Sequence, residues 1–192
     1  YIALLDSLAP GWKEEVAENY LPLLEGREIP SEQGELLLAP STGAGTQNVS
    51  PSVSPNGRYV AFLSEKDLFS VDLFLADAET GEVLRKLSSA NSSPHIEALR
   101  YIDSSGTWSP DGEYFAFVVT AGGGNRIIIV ETESGDTYQE ISFDEIGALN
   151  NPAWSPDGRY MAFSGSVGGM VDLYIHDLES GETTQLTDDK HA

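Results

Sequence analysis

An all-β fold of tandemly repeated four-stranded sheets is what this sequence predicts, and three observations carry it. A Ser-Pro-Asp/Asn-Gly turn recurs three times, at Ser54-Pro55-Asn56-Gly57, Ser109-Pro110-Asp111-Gly112 and Ser155-Pro156-Asp157-Gly158. Each copy leads into a strand that contains Ala-Phe: Ala61-Phe62, Ala116-Phe117 and Ala162-Phe163. Each then continues into an apolar strand and a Gly-containing turn: Glu79-Thr80-Gly81-Glu82, Glu133-Ser134-Gly135-Asp136 and Glu179-Ser180-Gly181-Glu182. Self-similarity at a fixed period of this length is the signature of a repeat architecture.

Each copy reads as a four-stranded meander. A short strand ends at Val53, Trp108 or Trp154. The turn follows because Pro presets φ, Asp or Asn bonds its own backbone, and Gly accepts positive φ. The second strand alternates Tyr and Ala with Val, Phe or Met and Phe, as a sheet covered on both faces requires. The third is apolar, as in Leu73-Phe74-Leu75, Ile127-Ile128-Ile129 and Leu173-Tyr174-Ile175. Gly81, Gly135 and Gly181 then mark hairpins into the fourth, for example Thr183-Thr184-Gln185-Leu186.

Over residues 49 to 188 these motifs resemble the TolB-type, WD-repeat-like β-propeller repeat, in which a Trp-Ser-Pro-Asp-Gly turn precedes a strand ending in Ala-Phe. The resemblance implies a partial β-propeller of three four-stranded antiparallel blades, over about residues 49–88, 105–142 and 150–188, with aromatic residues such as Trp108, Trp154, Phe117 and Phe163 between blades. Residues 34–39 read as the turn and outer strand of a further blade, an orphan closing strand. Gly34 lies 21 residues before Pro55, just as Gly135 lies 21 before Pro156; a strand-like linker is the alternative. A closed propeller needs about 4 to 8 blades. The chain is therefore expected either to be a fragment or to receive blades from another subunit, and its terminal blades are expected to expose apolar faces.

The first 33 residues form a separate lead-in, read as the tail of a preceding domain or a cap. Trp12, Val16 and Tyr20 fall on one face of a short helix near residues 12 to 20, which Pro22 ends. The propeller segment then covers residues 34–192. Residues 89–104 lengthen the link between the first and second blades: Gly81 to Pro110 is 29 residues, against 21 in the next link. His95, Arg100 and Tyr101 in this insertion are the candidate partner-contact residues, since loops carry function and Arg and Tyr are enriched at binding hot spots. Packing of Ile96, Leu99 and Ile102 as a structural plug is the competing reading.

Composition narrows the partners. There are 31 acidic and 10 basic residues, a net charge of −21, which disfavours nucleic acid and anionic membrane. The acids are scattered. They fit a solvated surface that resists aggregation, adaptation to high salt (four lysines occur) or calcium binding, with the first two favoured. No apolar run approaches the roughly 20 residues of a membrane-spanning helix. The start has neither a basic n-region nor an initiator Met, so a missing signal says nothing about secretion. Without cysteine there are no disulfides and no thiolate chemistry.

The sequence offers no catalytic constellation, no cofactor motif and no set of metal ligands. Gly165-Ser166-Val167-Gly168-Gly169 has the wrong spacing for a nucleophile elbow, and Gly122-Gly123-Gly124 lacks the context of a phosphate loop. The histidines His95, His176 and His191 are far apart, and His176 reads as an ordinary strand residue. Asp72 with Asp77, and Asp172 with Asp177, are five apart and so on opposite strand faces. The resemblance implies a non-catalytic protein-binding propeller of a bacterial cell-envelope or secreted protein, periplasmic or extracellular, with other proteins or peptides as partners. The alternatives are the accessory propeller of a peptidase or hydrolase whose catalytic domain lies elsewhere, and a structural surface-assembly protein.

Overall fold

The computed structural model of the chain describes residues 11–12, 14–16, 18–20, 22, 26, 33–67, 71–88, 98–99, 106–121 and 123–188. The chain divides after Leu36 into two units. In the first, the described residues from 11 to 20 are helical, as expected, and so is Pro22. Trp12 and Tyr20 are exposed and Val16 is half-buried.

The second unit contains three antiparallel sheets. The first is formed by β1 (Asn48–Val53), β2 (Tyr59–Ser64), β3 (Asp72–Asp77) and β4 (Val83–Ser88), bonded in that order. The third is formed in the same way by β10 (Ala148–Trp154), β11 (Tyr160–Val167), β12 (Met170–Asp177) and β13 (Thr183–Gln185). In the second, β7 (Tyr114–Ala121), β8 (Gly124–Glu131) and β9 (Thr137–Ser142) are preceded by two short strands, β5 (Ala98–Leu99) and β6 (Thr107–Trp108), which both pair with β7. These are blades of a partial propeller.

The turns form for the reason the sequence suggests. In each copy the Ser54, Ser109 or Ser155 hydroxyl accepts the N–H of Tyr59, Tyr114 or Tyr160 at 2.8–2.9 Å and donates to Asn56, Asp111 or Asp157 at 2.5–2.8 Å. Gly57, Gly112 and Gly158 sit at φ +71°, +75° and +78°, where a Cβ would be strained. Successive blades are tied along their first strands: the Trp108 indole N–H donates to the Ser52 carbonyl at 3.1 Å, and the Trp154 N–H to Thr107 Oγ1 at 3.4 Å.

Each inter-blade core joins a largely aliphatic face of the earlier blade to a face of mixed aromatic and aliphatic side chains on the later one. Ala61, Leu63, Leu73 and Leu75 of blade 1 meet Trp108, Phe115 and Phe117 of blade 2. Ala116, Val118, Ile127 and Ile129 of blade 2 meet Met161, Phe163 and Tyr174 of blade 3. Trp108 is buried as expected, whereas Trp154 is only partly so and its indole N–H turns to the Gly158 carbonyl of its own turn at 2.9 Å.

Two expectations are corrected. Residues 34–39 form no strand. The chain instead turns at once into a 3-10 helix over Pro40–Thr42, and the Thr42 hydroxyl accepts the Ala39 N–H at 3.1 Å; Pro40 has no N–H with which to extend a ladder. Nor does blade 1 expose its outward face. Leu37, Leu38 and Ala44 pack on Val60, Phe62, Phe74 and Ala76, and the ammonium groups of Lys66 and Lys86 lie over the Phe74 ring. The outward face of blade 3 remains open, with Val171, Leu173 and Leu186 exposed.

Candidate functional site

The first strands converge from blade to blade, and each is interrupted at one place. In blade 1 the register passes from Val49↔Leu63 to Ser52↔Ala61, so Ser50 and Pro51 oppose Phe62 alone. In blade 3 it passes from Asn150↔Ser164 to Ala153↔Ala162, so Asn151 and Pro152 oppose Phe163. These are two-against-one bulges at equivalent positions. Ser50 (φ 52°) and Asn151 (φ 51°) are the non-glycine residues at positive φ among the described residues. Pro51, Asn151, Ala153 and Val53 are exposed along this edge. Proline inside a strand was the available sign of a bulge, and sequence reasoning missed it.

Blade 2 departs from its neighbours at the same place. Its register passes from Leu99↔Val119 to Thr107↔Ala116, so residues 100–106 fall, by sequence, where the other blades spend two residues. The expected insertion over 89–104 therefore includes Ala98–Leu99 of the first strand. His95, Arg100 and Tyr101 lie outside the described residues; Arg100 and Tyr101 follow β5 directly in sequence.

The two ends of the sheets differ in charge. The turn end presents Glu79, Glu82, Glu133, Asp136, Glu179 and Glu182, all exposed or half-exposed. Asp177 there holds the Arg159 guanidinium through Nε at 3.0 Å and Nη2 at 2.7 Å and accepts two backbone N–H groups. The arginine, then those N–H bonds, hold its carboxyl down at about 2. Asp77 is lowered by the Thr80 and Glu79 N–H groups, and Asp111 and Asp157 by the serine hydroxyls of their turns. The opposite end, with the β2–β3 loops, mixes the two signs: Lys66 and Lys86 stand with Glu65, Asp67 and Asp72, and Arg126 near the start of β8 pairs with Glu140. Burial alone would lower the Lys86 ammonium, but the hydrogen bonds it donates to the carboxylates of Asp67 and buried Asp72 outweigh it and raise its pKa.

Asp172 is buried and accepts from Thr187 Oγ1 at 3.0 Å and Gln185 Nε2 at 3.1 Å. His176 is buried against the edge of Phe143, with Nδ1 2.8 Å from Thr183 Oγ1, and burial pushes its pKa below the usual value. Both belong to blade packing. Among the described residues no three His, Asp or Glu side chains are placed to share a metal ion, and no helix is long and apolar enough to cross a membrane.

Three tandem four-stranded blades, each opened by a Ser-Pro-Asp/Asn-Gly turn, define a β-propeller segment. In fold and repeat the segment is TolB-like; its kinship with WD repeats is looser. No family model matches the chain. The chain is 31% identical over 109 residues to the Tol-Pal system protein TolB of Hydrogenovibrio crunogenus, covering 57% of this chain and 22% of that protein. It is also 31% identical over 102 residues to the uncharacterized peptidase YuxL of Bacillus subtilis, covering 53% of this chain and 14% of that one. The chain thus spans less than a quarter of either curated relative. The crystal structure of TolB from Acinetobacter baumannii superposes with a TM-score of 0.59 at 20% identity, over 74% of this chain and 32% of that one. At that identity the likeness is one of fold.

Proposed function

We propose that the chain is part of a non-catalytic, protein-binding propeller that works in the cell envelope or outside the cell. The observation that carries this is the interruption of blade 2's first strand: the one copy of the repeat with extra residues has them where blades 1 and 3 have only a two-residue bulge. The repeat spends its regular positions on turns and packing, so a departure at the convergent edge is where recognition can be added without cost to the core. Arg100 and Tyr101 belong to that departure, and His95 to the link before it. Likeness to TolB supports the envelope context.

The second reading is the accessory propeller of a peptidase, favoured by the 31% identity to YuxL. In the full-length protein, Arg100→Ala and Tyr101→Ala should each weaken capture of cross-linked envelope proteins by about tenfold, a hot-spot effect, with Tm unchanged. Retained capture with a large fall in Tm would show that these residues plug the blade junction instead. Peptide hydrolysis by the full-length protein would establish the second reading.

A further inference from the structure

We propose that Asn56 is a site of spontaneous deamidation, guarded by its turn in the folded chain, and that aspartate formed there is taken into the turn in place of the asparagine. The inference does not rest on the binding role proposed above.

The repeat already contains the product. Asn56 stands where blades 2 and 3 have Asp111 and Asp157. The side-chain oxygen Oδ1 does the same work in all three. It accepts a serine hydroxyl, from Ser54 at 2.8 Å, Ser109 at 2.5 Å and Ser155 at 2.5 Å. It also accepts the backbone N–H two residues on, from Arg58 at 3.0 Å, Glu113 at 2.9 Å and Arg159 at 3.1 Å. A carboxylate is therefore at home in this turn. The Ser155 hydroxyl, then the Arg159 N–H, hold the Asp157 carboxyl below its ordinary value, and Arg58 follows Asn56 by two residues as Arg159 follows Asp157.

Asn56 and Gly57 form the one Asn-Gly pair in the sequence. Both residues are exposed, and a Cβ on Gly57 would meet nothing within 4 Å, so solvent reaches the pair. With no Cβ on the following residue, little screens its backbone nitrogen from the side-chain carbonyl. Asn151 is the contrasting case: it precedes Pro152, whose nitrogen bears no hydrogen to lose.

The reaction is a hydrolysis and needs only water and base. Hydroxide takes the Gly57 amide proton, and the nitrogen attacks Asn56 Cγ. The N–Cγ bond forms, the Cγ–Nδ2 bond breaks, and Nδ2 leaves as ammonia with a proton from water. A second water then opens the cyclic imide. Cleavage of the bond from Gly57 N to Cγ gives aspartate. Cleavage of the bond from Gly57 N to the Asn56 main-chain carbonyl gives isoaspartate, which lengthens the main chain by one carbon.

The folded turn opposes the first step. Its Gly57 N–H is donated to the Ser54 carbonyl at 2.9 Å, and the Asn56 amide is fixed by its two donors. Attack must break the first bond and swing the amide away from the other two. The reacting species is thus the opened turn. Aspartate can close that turn again, whereas isoaspartate, with its longer main chain, cannot.

The test holds the wild-type chain at mildly alkaline pH in native buffer and in urea. The tryptic peptide ending at Arg58 is followed by mass and by isoaspartyl methyltransferase labelling. Conversion at Asn56 should be at least about tenfold slower in native buffer, as a reaction gated by local opening requires. Ser54→Ala removes a donor to Asn56 and an acceptor for the Tyr59 N–H and should raise the native rate several-fold. Ser109→Ala loosens the equivalent turn of blade 2 and should leave that rate unchanged. Asn56→Asp should melt no lower than wild type in high salt, where the added charge is screened. No conversion in urea would overturn the site. Equal rates in native buffer and urea, or an unchanged rate in folded Ser54→Ala, would overturn the guarding turn. A clear fall in the Tm of Asn56→Asp would overturn the fit of the product. The urea comparison and Asn56→Asp decide the matter even if a serine variant fails to fold.

Discussion

Asp72 and Lys86 of blade 1 stand where Arg126 and Glu140 stand in blade 2, each acid and base fourteen residues apart and joined across β3–β4 or β8–β9. The repeat keeps the pair and reverses its sign. In blade 3 the position holds Asp172, and Gln185 and Thr187 replace the cation. What the fold requires here is a satisfied polar contact at the strand start, not one particular charge. His176 is a comparable solution inside blade 3, and its burial has a consequence for acid stability. The folded-state pKa is depressed by desolvation, so the native state binds the proton less readily than the unfolded chain. Its contribution is therefore fully present above the ordinary pKa of 6.5 and is lost as pH falls below it. His176→Gln keeps an acceptor or donor for Thr183 and does not titrate. Urea melts of both proteins at pH 7.5 and pH 5 should show wild type losing stability relative to the variant on acidification. An unchanged difference between them would mean that the imidazole is protonated in the fold without penalty. The pairwise comparison matters because protonating surface carboxylates also relieves repulsion, and this acts on both proteins alike.

Between residue and molecule, the turn and the bulge are the working elements. The Ser-Pro-Asp/Asn-Gly turn was legible because its function is local: three adjacent residue types satisfy one another, as the paired Ser and Asp contacts show. The bulge was legible only in its place, marked by Pro51 and Pro152, and not in its conformation, because Ser50 and Asn151 enter the left-handed region through the pairing of β1 with β2 and β10 with β11. For the same reason Ala98–Leu99 read as insertion when it is strand. The closing strand at 34–39 failed differently. Its spacing matched a real hairpin, but a strand needs a neighbour, and Leu37 and Leu38 found an apolar face first. Gly81 makes this cap testable. A Cβ on Gly81 would lie 1.9 Å from the Leu37 carbonyl oxygen, whereas one on the equivalent Gly181 would meet nothing within 4 Å. Both glycines have positive φ, +72° and +75°. Gly181→Ala should therefore cost only the backbone term, about 1–2 kcal/mol. Gly81→Ala should cost more and should also raise binding of a hydrophobic dye, because the cap must lift from Phe62 and Phe74. Equal denaturation midpoints for the two variants, with equal dye binding, would show that the cap yields without leaving the face.

At the scale of the molecule the dominant feature is the charge. Of 31 acids and 10 bases, the described residues show three bases engaged with carboxylates: Lys86, Arg126 and Arg159. With 31 acids to 10 bases, carboxylates far outnumber the cations that could pair with them, and many crowd the turn end, where three copies of the repeat each add an acidic Gly-containing turn. Two effects of salt oppose each other. Screening weakens the few exposed ion pairs, each worth about 0–1 kcal/mol, and it relieves repulsion among the many unpaired acids, which acts against the compact state. Repulsion should win because unpaired acids outnumber pairs and because lowering the screening length from about 30 Å at 0.01 M to about 3 Å at 1 M removes long-range terms first. Tm should therefore rise with sodium chloride across that range, and for a chain this size each kcal/mol gained reads as about 2–4 °C. A falling Tm would show that the ion pairs dominate. Calcium chloride at matched ionic strength separates screening from binding. Equal gains in the two salts are expected, since no three carboxylates among the described residues share a site. A clearly larger gain with calcium, saturating at millimolar concentration, would show instead that the acidic surface holds the ion.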